Sequence, residues 1–307
     1  MIKKLLFCGA AVMALASCTG GTEEPTTTQT LYNVNLLVKS PEGNFYTTTG
    51  NFNLKFRLAT NTCEFGWSDI LLGNNTVKGV TNPLPLNYGV TEIGGLYEMM
   101  ADGNNSAESN STLTNLYAEF GTSYYTLDGG PLGYEKINNI LVLDMTVDGY
   151  LVRSFQPKAY YHGKTSSRFV YQGQTNSYAT DETIFAVDMD TKNMKATVYI
   201  CNAKFAEPMP LQQQLKLENL DLRWNNSGYQ IIGKNVVPQR KEADGFVPFP
   251  SFTFDNFSLQ TVPPRGYVAG FNGKILTDID IDFLVAGVYN GHFEGSYLMI
   301  PADDEKI

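Results

Sequence analysis

Four kinds of side chain in this 307-residue sequence have types and spacings that could carry chemistry: alternating aspartates, two histidines, four cysteines and a large set of aromatics. Asp278, Asp280 and Asp282 resemble the opening of a calcium loop, but the turn glycine is missing and the twelfth position is Tyr289, so an EF-hand ligand set cannot form. Their alternation with Ile279, Ile281 and Phe283 makes them the solvated face of a strand, with a weak cation site as the alternative. His162 and His292 read as surface or hydrogen-bonded strand histidines in preference to general bases. A nucleophile elbow, a Walker loop, H-E-x-x-H and a dinucleotide glycine motif are all absent, so no catalytic residue, metal or cofactor is expected. No local acid pair marks a glycosidase, although carboxyl separation is a spatial quantity. Trp67, Tyr124, Tyr125, Trp224 and Tyr229 are the candidate ligand-binding residues, because flat aromatic faces line cavities or stack on sugar rings. The competing reading places most of them, and the series Phe246, Phe249, Phe252, Phe254 and Phe257, in the core. Tyr124 and Tyr125 are strand neighbours that point to opposite faces, so both cannot enter one core.

The first residues have a different chemistry. Lys3 and Lys4 precede an apolar run from Leu5 to Ala16, about the length of a signal-peptide core and too short for an ordinary spanning helix. The run ends Leu15-Ala16-Ser17-Cys18, which resembles the lipobox of bacterial lipoproteins, and that resemblance implies a diacylglycerol on the Cys18 thiol. With an additional acyl chain this anchors stably. Thr19 after the cysteine implies, by the same resemblance, the outer membrane, with its periplasmic or cell-surface face undetermined. Loss of residues 1–17 leaves 20 bases against 31 acids, a charge of −11. Residues 19–30, rich in Thr, read as a tether. With Cys8 in the leader, Cys63 and Cys201 remain, 138 residues apart, either as one disulfide or as two buried thiols. Neither C-x-x-C nor a Cys/His metal spacing occurs.

The elements that must position these residues are strands. Hydrophobic content is 43%, charged content only 17%, and no cationic run exceeds a pair, which argues for a folded core and against nucleic acid as a partner. Period-two alternation recurs at Phe52-Leu54-Phe56-Leu58, Phe185-Val187-Met189 and Ile279-Ile281-Phe283. Turn signals separate such runs at Pro41-Glu42-Gly43, Gly73-Asn74-Asn75, Asp102-Gly103-Asn104, Asp128-Gly129-Gly130, Asn225-Asn226-Ser227-Gly228 and Asn290-Gly291. Leu113–Phe120 and Leu211–Leu217 could form short turns or helices. An offset of 132 residues superposes Leu151-Val152 on Phe283-Leu284 and Tyr161-His162-Gly163 on Phe293-Glu294-Gly295. The expectation is an all-β chain with two tandem antiparallel barrel- or sandwich-like units, residues 31–170 and 171–300, then a 301–307 tail. The Tyr171–Tyr178 stretch is the expected cut, and one large sandwich or barrel is the alternative.

The second half, with Cys201-Asn-Ala-Lys-Phe205-Ala-Glu-Pro208-Met209-Pro210, Gly228-Tyr229 through Pro238, and Phe293-Glu-Gly295, resembles the calycin-like (lipocalin-like) lipoproteins of Bacteroidota. That resemblance covers about 130 residues and implies a compact antiparallel barrel of lipocalin type. The family lends almost no function, having no settled activity. Lipidation and tandem β units without catalytic motifs lead to three functional expectations. The first is a non-catalytic, membrane-anchored module that binds a small apolar molecule, a glycan or a protein. The second is a structural or adhesive surface lipoprotein, and the third an envelope hydrolase using dispersed carboxylates.

Overall fold

The computed structural model describes residues 26–57, 59–91, 94–126, 135–262 and 278–298, with backbone alone at 88–91, 94–96, 122–126, 135–140, 213 and 297–298. Residues 1–25 with Cys18, the Asp128-Gly129-Gly130 signal and residues 301–307 lie outside this description. Apart from one 3-10 turn at Pro250–Phe252, every regular element among the described residues is a β-strand. The chain divides into two compact units that part between Phe155 and Gln156.

The first unit contains β1 (Thr26–Lys39), β2 (Phe45–Arg57), β3 (Thr62–Leu72), β4 (Asn75–Thr81), β5 (Leu84–Thr91), β6 (Gly94–Asp102), β7 (Ser106–Ser109), β8 (Leu113–Thr126), β9 (Glu135–Val147) and β10 (Tyr150–Ser154). Eight of these, all but β4 and β7, pair antiparallel in chain order, and β10 returns to β1 from Leu36↔Ser154 to Lys39↔Leu151. The ladder is therefore a closed up-and-down barrel. Closure removes the exposed edges that an open sheet would present. β4 leaves the ring beside β3 and carries β7.

The second unit contains β11 (Lys158–Tyr171), β12 (Gln174–Thr180), β13 (Ile184–Asp190), β14 (Lys195–Ala203), β15 (Gln212–Asn225), β16 (Gly228–Val236), β17 (Gln239–Glu242), β18 (Gly245–Pro248), β19 (Phe254–Val262), β20 (Asp278–Val285) and β21 (Tyr289–Leu298). Here too eight strands close, because β21 pairs with β11 from Tyr160↔Leu298 to Arg168↔Asn290. β12 extends the sheet beside β11, while β17 and β18 hang from β15.

Period-two alternation fills both interiors. In the first barrel Phe52, Leu54 and Phe56 lie opposite Trp67, Phe65 and Cys63 across the β2–β3 ladder, and all six belong to one buried cluster. In the second, Phe185 and Phe293 meet with ring centroids 4.4 Å apart. Phe205, from the segment between β14 and β15, is 0% exposed and packs on Phe283 at 4.7 Å and on Phe252 at 5.7 Å. Its carbonyl accepts the Ser167 hydroxyl, which fixes this inserted segment to β11. Each fully buried phenylalanine contributes roughly 1.5–3 kcal/mol through the apolar area it removes from water.

Several expectations are corrected. The unit boundary lies at Phe155/Gln156, because β11 pairs with β13 and β21 and so belongs to the second ring; Tyr171–Tyr178 is part of the β11–β12 hairpin. Residues 26–30 of the expected tether are the start of β1, where Thr26–Thr30 pair with Arg57–Asn53, as suits β-branched side chains. Leu113–Phe120 and most of Leu211–Leu217 are strand, with Leu116, Ala118 and Phe120 and with Leu215 and Leu217 at interior positions. Asn290-Gly291 lies within β21, the turn falling at residues 286–288. The 132-residue superposition pairs the wrong strands. Tyr161-His162-Gly163 opens the second ring on β11 and lies beside β21, with Gly163 directly opposite Gly295. The two segments are ladder neighbours within the second ring, so they do not hold equivalent places in two copies.

The glycine pair has a steric cause. A Cβ on Gly163 would collide with the Glu294 carbonyl, and one on Gly295 with the Phe293 ring. Gly66 is different, since a Cβ there would find its nearest neighbour, the Asn53 carbonyl oxygen, at 3.4 Å. Gly163→Ala is therefore expected to destabilise the protein by about 3 kcal/mol or more, and Gly66→Ala by less than about 1 kcal/mol. Equilibrium denaturation of the two variants beside wild type measures this, and equal losses would contradict it.

Candidate functional site

The site is built on the outer face of the first barrel, where β1, β2, β3 and β4 lie side by side. Register places Thr30, Asn53, Gly66 and Val80 in one row across these strands. Gly66 has no side chain, so the middle of the row is a notch. An open groove of about 460 Å³ runs over it, walled by Tyr32, Asn51, Lys55, Ser68 and Asp69 with Trp67. Ligand pockets commonly fall in this size range.

Two irregularities shape the groove. The β1–β2 register shifts between Leu31 and Val34, Asn33 takes φ +53°, and Tyr32 is left 72% exposed at the rim. The β3–β4 register shifts between Trp67 and Ile70, with Asp69 at φ +60°. Such bulges re-aim side chains at the cost of a ladder bond. The polar groups are then held in place. Asn51 Nδ2 donates to Asp69 Oδ2 at 2.7 Å, Ser68 Oγ donates to the same oxygen at 3.1 Å, and Asn53 Nδ2 donates to Thr30 Oγ1 at 3.2 Å. Glu64 is neutralised by Lys55 at 3.6 Å and Arg57 at 2.5 Å. The result is a nearly neutral floor of amides and hydroxyls beside one exposed aromatic ring.

The residues named from sequence are scattered. Trp67 is 3% exposed, belongs to the interior cluster and still contributes to the groove wall; its Nε1 is buried without a hydrogen-bond partner. Trp224 is half-buried and packs edge-on against Tyr229 at 6.4 Å. Tyr229 is a core residue whose hydroxyl lies 2.6 Å from that of Tyr161. These two are together in the second unit, apart from Trp67. Tyr124 and Tyr125 lie on β8 with their side chains outside the described residues, as does Cys18 entirely. Cys63 and Cys201 are free and buried, one in each unit, so no disulfide joins them. Burial pushes the Cys63 thiol up to about 12 and the Cys201 thiol up to about 11, leaving both inert near neutral pH. His292 Nδ1 lies 2.7 Å from Asp282 Oδ1 across the β20–β21 ladder, and Asp278 accepts from Ser296 Oγ at 3.3 Å. Among the described residues no group of three His, Cys, Asp or Glu is placed to hold a metal.

Tyr32, Asn51, Asn53 and Asp69 escaped the sequence reading. The available signal was Gly66 between Phe65 and Trp67, a missing side chain in an otherwise bulky strand. A second missed constellation is an acid pair. Glu98 on β6 and Glu119 on β8 are directly opposed, each 2% exposed, and both point away from the interior positions Tyr97, Met99 and Phe120. The Tyr117 hydroxyl donates to Glu119 at 2.5 Å, and Glu98 Oε2 has no partner. Burial, and then the neighbouring Glu98 charge, raise the Glu119 carboxyl above its ordinary range, although the Tyr117 hydrogen bond opposes them. Glu98 and Glu119 were legible as acids inside apolar strand runs. Neither residue lines the groove over Gly66.

The sign of that shift fixes a pH dependence. A carboxyl raised in the folded state stabilises the fold in full below its unfolded value, and the contribution is lost as pH rises through the folded value. At pH 7 Glu119 therefore costs stability. Glu119→Gln keeps an acceptor for Tyr117 and offers a donor toward Glu98 Oε2, so it is expected to raise the melting temperature at pH 7 and change it little at pH 4. Thermal denaturation at both pH values checks this; a loss at pH 7 would contradict it. Comparison of the chain with protein-family profiles, curated proteins and solved structures finds no match.

Proposed function

We propose that this chain is an outer-membrane lipoprotein, tethered through a lipidated Cys18, whose first barrel binds a glycan without acting on it. The observation that carries the reading is the groove over Gly66: an exposed Tyr32 ring beside the fixed Asn51, Asn53, Ser68 and Asp69 groups. Sugars present an apolar ring face and a fringe of hydroxyls, so one aromatic platform with amide and carboxylate partners matches both chemistries. A small apolar guest is less well supported, because interior positions of both rings hold packed side chains. Membership of the calycin-like lipoproteins is part of this proposal, supported by the eight-stranded up-and-down ring.

The acid pair Glu98 and Glu119 keeps a second reading in view, an envelope hydrolase using two carboxyls. Against it, the Gly66 groove does not reach either residue. A hydrolase would release reducing sugar from the bound polymer and lose that activity in Glu119→Gln.

Two measurements test the proposal. Electrophoresis through gels containing neutral polysaccharides is expected to retard the protein on at least one polymer. Tyr32→Ala and Asn53→Ala should each weaken that retardation about tenfold, equivalent to about 1.4 kcal/mol. Wild-type retardation of both variants would remove the groove from the account. Metabolic labelling with a fatty acid is expected to mark the wild-type chain and not Cys18→Ser, which should leave the membrane fraction; equal labelling would refute the anchor.

A further inference from the structure

The second barrel carries a groove of different character. It measures about 530 Å³ and lies on the outer face where β12, β11, β21 and β20 run together. Register gives it two rows: Ala179, Ser166, His292 and Asp282 in one, and Ser177, Arg168 and Asn290 in the next. Small residues at Ser166 and Ala179 keep the floor low. Lys164 and Arg168, on the same face of β11 as Ser166, stand on either side of it, roughly 13 Å apart along the strand.

The charges are what distinguish this groove. Asp282 is engaged by His292 at 2.7 Å. Neither Lys164 nor Arg168 has a hydrogen-bond or ion-pair partner among the described residues, and both line the groove. Other cations of the two units are held by acids: Lys55 and Arg57 by Glu64, Arg153 by Asp144, Lys195 by Asp221. Lys164 faces Glu294 across the β11–β21 ladder and Asp282 lines the groove, whereas Arg168 has Ser177 and Asn290 as its ladder partners and stands over the concavity with no acid opposite it. The rest of the lining is hydroxyl and amide: Ser166, Ser177, Tyr178 and Asn290.

We infer that this groove binds an acidic saccharide, a sugar bearing carboxylate or sulfate groups, with Arg168 and Lys164 taking the anionic substituents. Arg168 presents a planar fork suited to two-point contact with such oxyanions, and Lys164 supplies a second point charge. Ser177, Tyr178 and Asn290 meet the ring hydroxyls. A single inorganic anion would occupy only a small part of about 530 Å³, which is the size range of organic ligands. The polar lining and the two cations both disfavour an apolar guest. This site is separate from the Gly66 groove, so it stands whether or not that groove binds neutral glycans.

The test is affinity electrophoresis of the full chain through gels containing polygalacturonate, dextran sulfate or dextran. Retardation by one or both acidic polymers, with none of that strength by dextran in Tyr32→Ala, is the expected result. Nonspecific charge attraction does not produce it, because the protein is itself acidic. Lys164→Gln with Arg168→Gln is expected to weaken retardation by at least tenfold, while Lys192→Gln and Tyr32→Ala retain it. The exposed positions of Lys164 and Arg168 make folded variants the expectation, and unchanged thermal melting verifies it. Wild-type retardation of the double variant would overturn the inference, as would retardation of Tyr32→Ala by dextran equal to that by the acidic polymers. Full displacement by inorganic phosphate at low concentration would also overturn it, by showing a simple anion site. Loss of neutral-polymer binding in Tyr32→Ala with acidic binding intact would separate failure of one groove from failure of the other.

Discussion

Ring closure is the constraint on which both units depend. An eight-stranded antiparallel ladder satisfies every backbone group only if its last strand finds its first, and here β10 reaches β1 and β21 reaches β11. In the second unit this happens where Gly163 faces Gly295, because any side chain at Gly163 would strike the opposing backbone. Closure fixes which face of every strand is interior. A slip of one residue would turn Phe185, Phe293 and their neighbours outward, so burial of those rings and pairing of the ladder enforce each other.

Filling the interior with aromatics has a consequence for binding. The first barrel spends Phe52, Phe65 and Trp67 on its core, and the second spends Phe205, Phe254 and Phe283. The grooves therefore sit on outer faces, and both lie where an extra strand leaves the ring. β4 beside β3 builds one and β12 beside β11 the other. Each extends the sheet past the ring and sets a second wall against it. Chemistry then follows from which residues alternate outward: Asn51, Asn53 and Ser68 make an amide and hydroxyl floor, while Lys164 and Arg168 set two cations at the other groove.

The opposed Glu98 and Glu119 run against these rules, since like charges across a ladder repel and burial strengthens the repulsion. The pair persists with one carboxyl raised and held by Tyr117. The two carboxyls lie on the strand face turned away from the packed interior and are nevertheless buried, and that is the observation that keeps catalysis in view as a second reading.

The sequence by itself determined the all-β character, the polarity of each strand face and most turns. Phe52-Leu54-Phe56, Phe185-Val187-Met189 and Ile279-Ile281-Phe283 all lie inward as their alternation requires, and Gly43, Gly73 and Gly103 adopt the positive φ that their turns demand. These are local properties, set by a two-residue period and by the conformational reach of glycine. Tertiary structure decided which strands are neighbours. It moved the unit boundary from 170 to Phe155, made Tyr161-His162-Gly163 a partner of β21 in place of its copy, and left Cys63 and Cys201 unbridged. It also brought Tyr32 to Asn51, Arg168 to Asn290 and Glu98 to Glu119. Alternation carries no information about distant pairing or register. Those are selected by the free energy of closing the whole ring around one packed interior, and no short stretch of the chain contains that sum.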